Sequence, residues 1–178
     1  MEVDLLMAQR FLDALDPNGV FTFQTFDDSS AKRGNLAQVH HGRLNEHAER
    51  LVSLNRQGAG IFLMINRGDG IVRPGAKTCR TTANVTEIRS LFVDLDGSPI
   101  EPVVPHEPSI VVESSPSRWH AYWLVSGCPL NEFKLRQQQL AAKFGGDTKV
   151  CDLPRVMRLP GFFHRKGEPF MTRLIRPE

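Results

Sequence analysis

The chain has 178 residues, 40% of them hydrophobic and 24% charged, with a net charge of +2 and a pI near 8.6. A chain of that length and composition can bury a core without disulfides or a structural metal. Its mild basicity permits a nucleic-acid partner without demanding one. Cys79, Cys128 and Cys151 are odd in number and form no Cys-x-x-Cys pair, which argues against a disulfide framework or structural zinc and for a reducing cytoplasm. The acidic start Met1-Glu2-Val3-Asp4 lacks a long apolar stretch, which argues against a signal peptide, and no run reaches the length of a membrane span.

Apolar residues at helical spacing predict a helix over Val3–Leu15, stopped by Asp16-Pro17-Asn18-Gly19. Val20–Phe26 alternates with period two and reads as a strand, and Asp27–Asn35 as a polar loop. A second helix is expected over Leu44–Asn55, then a buried strand at Ile61–Ile65 and a turn over Asn66–Gly70. Leu91–Asp96 is a strand running into the Gly97-Ser98-Pro99 turn. Ser109–Glu113 and His120–Val125 read as neighbouring strands joined by Ser114–Arg118. Leu130–Phe144 is a helix closed by Gly145-Gly146. Leu153–Met157 reads as a short helix and Phe170–Ile175 as a final strand. Interspersed helices, strands and hairpins predict an α+β fold with mixed or antiparallel sheets flanked by helices. The expected organisation is one domain over 1–178, an α/β part to about residue 88 and a motif-bearing part from about 89. Pro99–Pro108 is read as a connection and not a domain boundary.

Three segments carry the chemistry. Asp94 and Asp96 stand two apart on one strand, so both carboxylates leave the same face. Such a pair can hold divalent ions roughly 4 Å apart for two-metal phosphoryl transfer, and hard oxygen donors suit Mg2+ or Mn2+. The same Asp-Leu-Asp-Gly-Ser run resembles the opening motif of haloacid-dehalogenase-type phosphatases, with Asp94 as nucleophile. That family's early placement and later acidic pair are missing here.

Ser114-Ser115-Pro116-Ser117-Arg118-Trp119-His120 offers amides, hydroxyls, a guanidinium and an imidazole to a phosphate. The third segment runs from Gly145-Gly146-Asp147 through Asp152, Arg155, Arg158 and Leu159-Pro160-Gly161 to His164-Arg165-Lys166. Its clustered cations suit a triphosphate site better than a plain solvated face. His40-His41, with His47 nearby, could suggest a metal-dependent nicking enzyme with Tyr122 as nucleophile. Adjacent histidines on a strand point apart, so an exposed polar loop is the preferred reading. Arg67, Arg73, Lys77 and Arg80 are either template-tracking cations or solvated loop charges.

In order, the three segments resemble the archaeo-eukaryotic primase superfamily, and within it the plasmid and phage replication primases of RepB type. The resemblance spans Leu91 to Lys166 and implies an RRM-like primase-polymerase core. It implies that Asp94, Asp96 and Asp147 are catalytic and hold two divalent ions, with Asp152 as the rival third ligand. It also implies that Ser115, Arg118, His120, Arg158, His164 and Lys166 contact the nucleotide. The family's Ser-Gly-x-Gly-x-His spelling lacks its glycines here. Single-stranded DNA and nucleoside triphosphates would be the partners, with no membrane. A chain ending soon after its last strand also suits a fragment of a larger protein with a helicase or fused C-terminal domain. A non-catalytic nucleic-acid-binding module is the remaining alternative.

Overall fold

The computed structural model describes residues 2–177, an α+β fold in which every strand pair is antiparallel. Helix α1 (Leu5–Leu15) starts at Asp4, whose carboxylate accepts the Met7 amide at 2.8 Å. That cap satisfies one of the amides a helix start leaves unpaired, and the spacing of Ala8, Phe11, Leu12 and Leu15 turns one apolar stripe to the core. Strands β1 (Phe21–Asp27) and β2 (Val39–Gly42), helix α2 (Leu44–Arg56) and strand β3 (Ala59–Met64) follow. A small hairpin, β4 (Arg67–Gly68) with β5 (Val85–Glu87), leads into β6 (Ser90–Leu95). Then come the hairpin β7 (Ile110–Ser115) and β8 (Arg118–Leu124), and helix α3 (Phe133–Phe144). Four short strands close the chain: β9 (Val156–Arg158), β10 (Phe163–His164), β11 (Phe170–Met171) and β12 (Arg173–Arg176).

Two four-stranded sheets result, the first in the order β2-β1-β3-β9 and the second in the order β12-β7-β8-β6. One hydrophobic core joins them. Phe23, Ile61 and Leu63 come from the first sheet and Phe92, Ile110, Val112 and Tyr122 from the second. Phe11 of α1 meets Tyr122 edge to face at 5.7 Å. The other face of the second sheet carries Val93, Leu95 and Ala121, with Val103 of the 99–108 connection and Trp119 packed against them.

The structure corrects three of the sequence expectations. Leu153–Met157 is no helix: Pro154 lies inside so short a segment, and the edge of β3 takes the chain as β9, with Leu63 opposite Met157. His40 and His41 lie in β2, not an exposed loop, because β1 needs a partner on that edge; the His41 ring is 2.8 Å from the Thr22 hydroxyl. The final strand breaks at buried Thr172, whose amide donates to the Phe162 carbonyl at 3.0 Å. No helix among the described residues is long and apolar enough to cross a membrane.

Candidate active site

Along the inner face of the second sheet the side chains turn from apolar to polar rung by rung. Ile110, Tyr122 and Phe92 face one another across β7, β8 and β6 and are wholly buried. The next rung is Val112, His120 and Asp94. Beyond it lie Ser115 opposite Arg118 and, just past β6, Asp96. Period-two projection thus carries one stripe from the core into a cleft of about 670 Å³. Asp94, Asp96, Ser115, Arg118 and His120 line it on the second sheet's side. Facing them are Phe62 of β3, Arg158 of β9, His164 of β10 and Lys166.

The β7–β8 turn closes without the glycines of the family pattern. Pro116 fixes one central position and Ser117 adopts a left-handed φ of 60°, which glycine ordinarily supplies. Arg118 then reaches Asp96 in an ion pair at the cleft mouth, both side chains more than half exposed.

Asp94 has no such partner. Among the described residues the basic side chain within 4 Å of its carboxylate is the His120 ring, with Nε2 at 3.7 Å. Burial, reinforced by the carboxylate of Asp147, pushes its pKa up to about 6. Asp147 follows α3, and its amide donates to the Asp94 carbonyl at 3.0 Å. Gly146 makes that approach feasible, since a Cβ there would stand 2.3 Å from a Val93 methyl and 2.9 Å from the same carbonyl. Asp147 does not line the cleft itself, and Asp152 is drawn aside into an ion pair with Arg155. Among the described residues no three His, Cys, Asp or Glu side chains form a ready-made metal cage.

Both cleft histidines are uncharged at neutral pH. Burial, then the charge of Arg158, lowers the His120 pKa to about 3; the same two causes, partly offset by Asp28, bring His164 to about 4. The Tyr122 hydroxyl lies 3.2 Å from His120 Nδ1, and burial keeps that phenol protonated far above pH 10. When the phenol donates to Nδ1, the neutral ring carries its proton on Nε2, the nitrogen nearer Asp94.

Arg158 lines the cleft and also has a buried partner of its own. Its guanidinium is 9% exposed and grips the buried Asp28 with two hydrogen bonds of 3.0 and 2.9 Å, 130 residues away in sequence. It also lies 4.6 Å over the Phe62 ring. Asp28 further accepts the Arg165 amide at 2.9 Å. Burial opposes its ionisation, but the Arg158 hydrogen bonds and charge outweigh that and hold its pKa below the ordinary carboxylate value. The charge of Arg158 is therefore largely spent inside the protein.

Asp28 and Phe62 escaped the sequence reading. Asp28 has no local signal, because its partner is distant. Phe62 was legible only if the apolar run of β3 was read as alternating: Ile61 and Leu63 enter the core while Phe62 faces the cleft.

Comparison with solved structures gives this fold a class. The AEP domain of the cyanophage S-2L primase-polymerase matches with a TM-score of 0.72 and 20% identity, over 100% of this chain and 92% of that one. The catalytic domain of primase RepB′, in complex with initiator DNA, matches at 0.67 and 20%, over 96% and 83%. A longer structure of primase RepB′ matches at 0.69 and 22%; it covers 96% of this chain, which spans only 55% of that protein's length. The fold is that of an archaeo-eukaryotic primase catalytic domain. The RepB DNA-primase N-terminal domain family matches residues 95–178, beginning one residue after Asp94, and so bears out the RepB-type resemblance of the motifs. Curated protein sequences yield no match.

Proposed function

We propose that this chain is the catalytic core of a DNA primase, making primers on single-stranded DNA in plasmid or phage replication. The observation that carries the reading is the polar end of the second sheet's inner face. There Asp94 and Asp96 share a cleft with two uncharged histidines, Arg118 and Lys166.

Two Mg2+ or Mn2+ ions fit the donor chemistry of Asp94, Asp96 and Asp147. The fit rests on Asp94, a half-buried carboxylate with a second carboxylate beside it and no guanidinium paired to it; a cation would relieve both strains. Bound there, such ions supply Lewis acidity toward the α-phosphate and activate a 3′-hydroxyl.

The chain's own residues do the rest. His120 presents its Nε2–H to a phosphate oxygen, oriented by the Tyr122 hydroxyl, and His164 adds a second neutral donor. Being uncharged, both act by directed hydrogen bonding and not by charge. Arg118 exchanges Asp96 for phosphate at little cost, because the exposed pair is weak. Lys166 contributes a mobile positive charge, and Ser115 a hydroxyl. Arg158 positions the β9 side of the cleft while remaining tied to Asp28.

The matched structures named above are primases or primase-polymerases, which favours this reading over a phosphatase using Asp94. The test is incubation with single-stranded templates, labelled nucleotides and Mg2+ or Mn2+. Template-dependent oligomers that vanish in Asp94→Ala and Asp96→Ala are expected. Normal synthesis by both variants would sink the proposal, and phosphate release from small esters without DNA would favour the phosphatase.

A further inference from the structure

The cleft does not end at Phe62. A second hollow of about 280 Å³ continues from it, sharing Phe62 and Lys166 as common wall and adding Phe26, Lys32 and Arg33. Its floor is aromatic. Phe26 and Phe62 meet edge to face at 5.6 Å, and Phe26 is the one exposed residue in a strand otherwise buried. Arg80 holds its guanidinium 5.9 Å over the Phe26 ring, anchored by hydrogen bonds to the Gln24 side chain and the Pro154 carbonyl.

The charge of this hollow is one-sided. Its two carboxylates, Asp27 and Asp28, are already engaged by Arg33 and Arg158. Lys32 and Lys166 have no carboxylate partner among the described residues, and Arg80 adds a third cation. Glu168 lies at the lip of the larger cleft, outside this hollow.

We infer that this hollow receives an unpaired nucleotide of single-stranded DNA where the strand leaves the cleft, its base stacked on Phe26 and its phosphates beside Lys32 and Lys166. Aromatic floors flanked by cations bind single strands in this way, and every base offers a face to stack. A strand fits better than a free nucleoside triphosphate. The shared wall gives a continuous path, and both acids are saturated, so no carboxylate remains for the cation a triphosphate carries. The inference rests on the proposed primase function and gives the strand a path that the motifs do not.

The test is the affinity of the full chain for fluorescent oligothymidine, by anisotropy, without nucleotide or divalent ion. Phe26→Ala should weaken binding roughly 5- to 30-fold, and Phe26→Trp should retain it with quenching of the new indole. Lys32→Ala should flatten the salt dependence of binding by about one phosphate's worth. Thermal melts show that each variant is folded; Phe26 is exposed, and a Phe26→Leu control keeps its packing. Unchanged DNA affinity in folded Phe26→Ala overturns the inference, as does a loss confined to free dTTP. Failure of the catalytic reading is separate, because it appears as synthesis by Asp94→Ala and leaves DNA affinity untouched.

Discussion

Two arginine–aspartate pairs border the same cleft, and they differ in everything but their chemistry. Arg158 and Asp28 are 9% and 2% exposed and lock together with two hydrogen bonds; Arg118 and Asp96 are 51% and 60% exposed at the mouth. In low dielectric a charge without its partner is costly, so the first pair is fixed framework. In water an ion pair is worth little, so the second can part for a ligand. The sequence presents all four residues alike, and burial alone assigns them opposite work.

That contrast can be broken by substitution, the largest effect first. Asp28→Asn or Arg158→Met alone should destabilise the fold by about 3–5 kcal/mol in urea unfolding, since each strands a buried charge or its hydrogen-bonding partner. The double replacement Asp28→Leu with Arg158→Met should recover much of that loss. Additive losses in the double variant would mean the two residues act independently.

Asp94 lies between the extremes, 29% exposed and without a guanidinium of its own. Its folded pKa of about 6 exceeds the ordinary 3.8, so between those values the folded protein binds a proton that the unfolded chain does not. Stability therefore falls as pH rises through that window, and the full cost stands above it. Asp94→Asn should raise stability by about 1–2 kcal/mol at pH 7.5, and the gain should fade toward pH 4. A variant equally stabilised at both pH values would refute the buried-charge account.

Arg118→Ala should shift stability by less than ~0.5 kcal/mol while raising the KM for nucleotide roughly tenfold. An unchanged KM would leave Arg118 as a solvated lip residue.

Much of this was legible. The alternation of Leu91–Asp96 and of His120–Val125 put Asp94 and Asp96 in one cleft and His120 on the face of Tyr122, as the register shows. The helices were readable from their stripes and stops. What failed needed partners far along the chain. Val156 and Met157 of the expected helix lie in a strand because β3 had an open edge, and the buried pairing of Arg158 was unreadable because Asp28 stands 130 residues earlier. His40 and His41 are in a strand because β1 required a neighbour. The charge state of the histidines was likewise invisible, since it follows from burial and from Arg158.

The Leu159-Pro160-Gly161 segment has a meaning beyond its motif. Gly161 lies against the start of the chain: its carbonyl accepts the Asp4 amide at 2.8 Å, and a Cβ on it would stand 2.1 Å from the Asp4 carbonyl. β9 meanwhile supplies the last strand of a sheet whose other members are complete by residue 64. On a ribosome α1 would thus emerge well before the Gly161 segment that closes over its start. Until β7 and β8 have been made α1 keeps an uncovered apolar stripe, and until β9 has been made β3 keeps an unpaired edge, the two features that chaperones recognise and aggregates exploit.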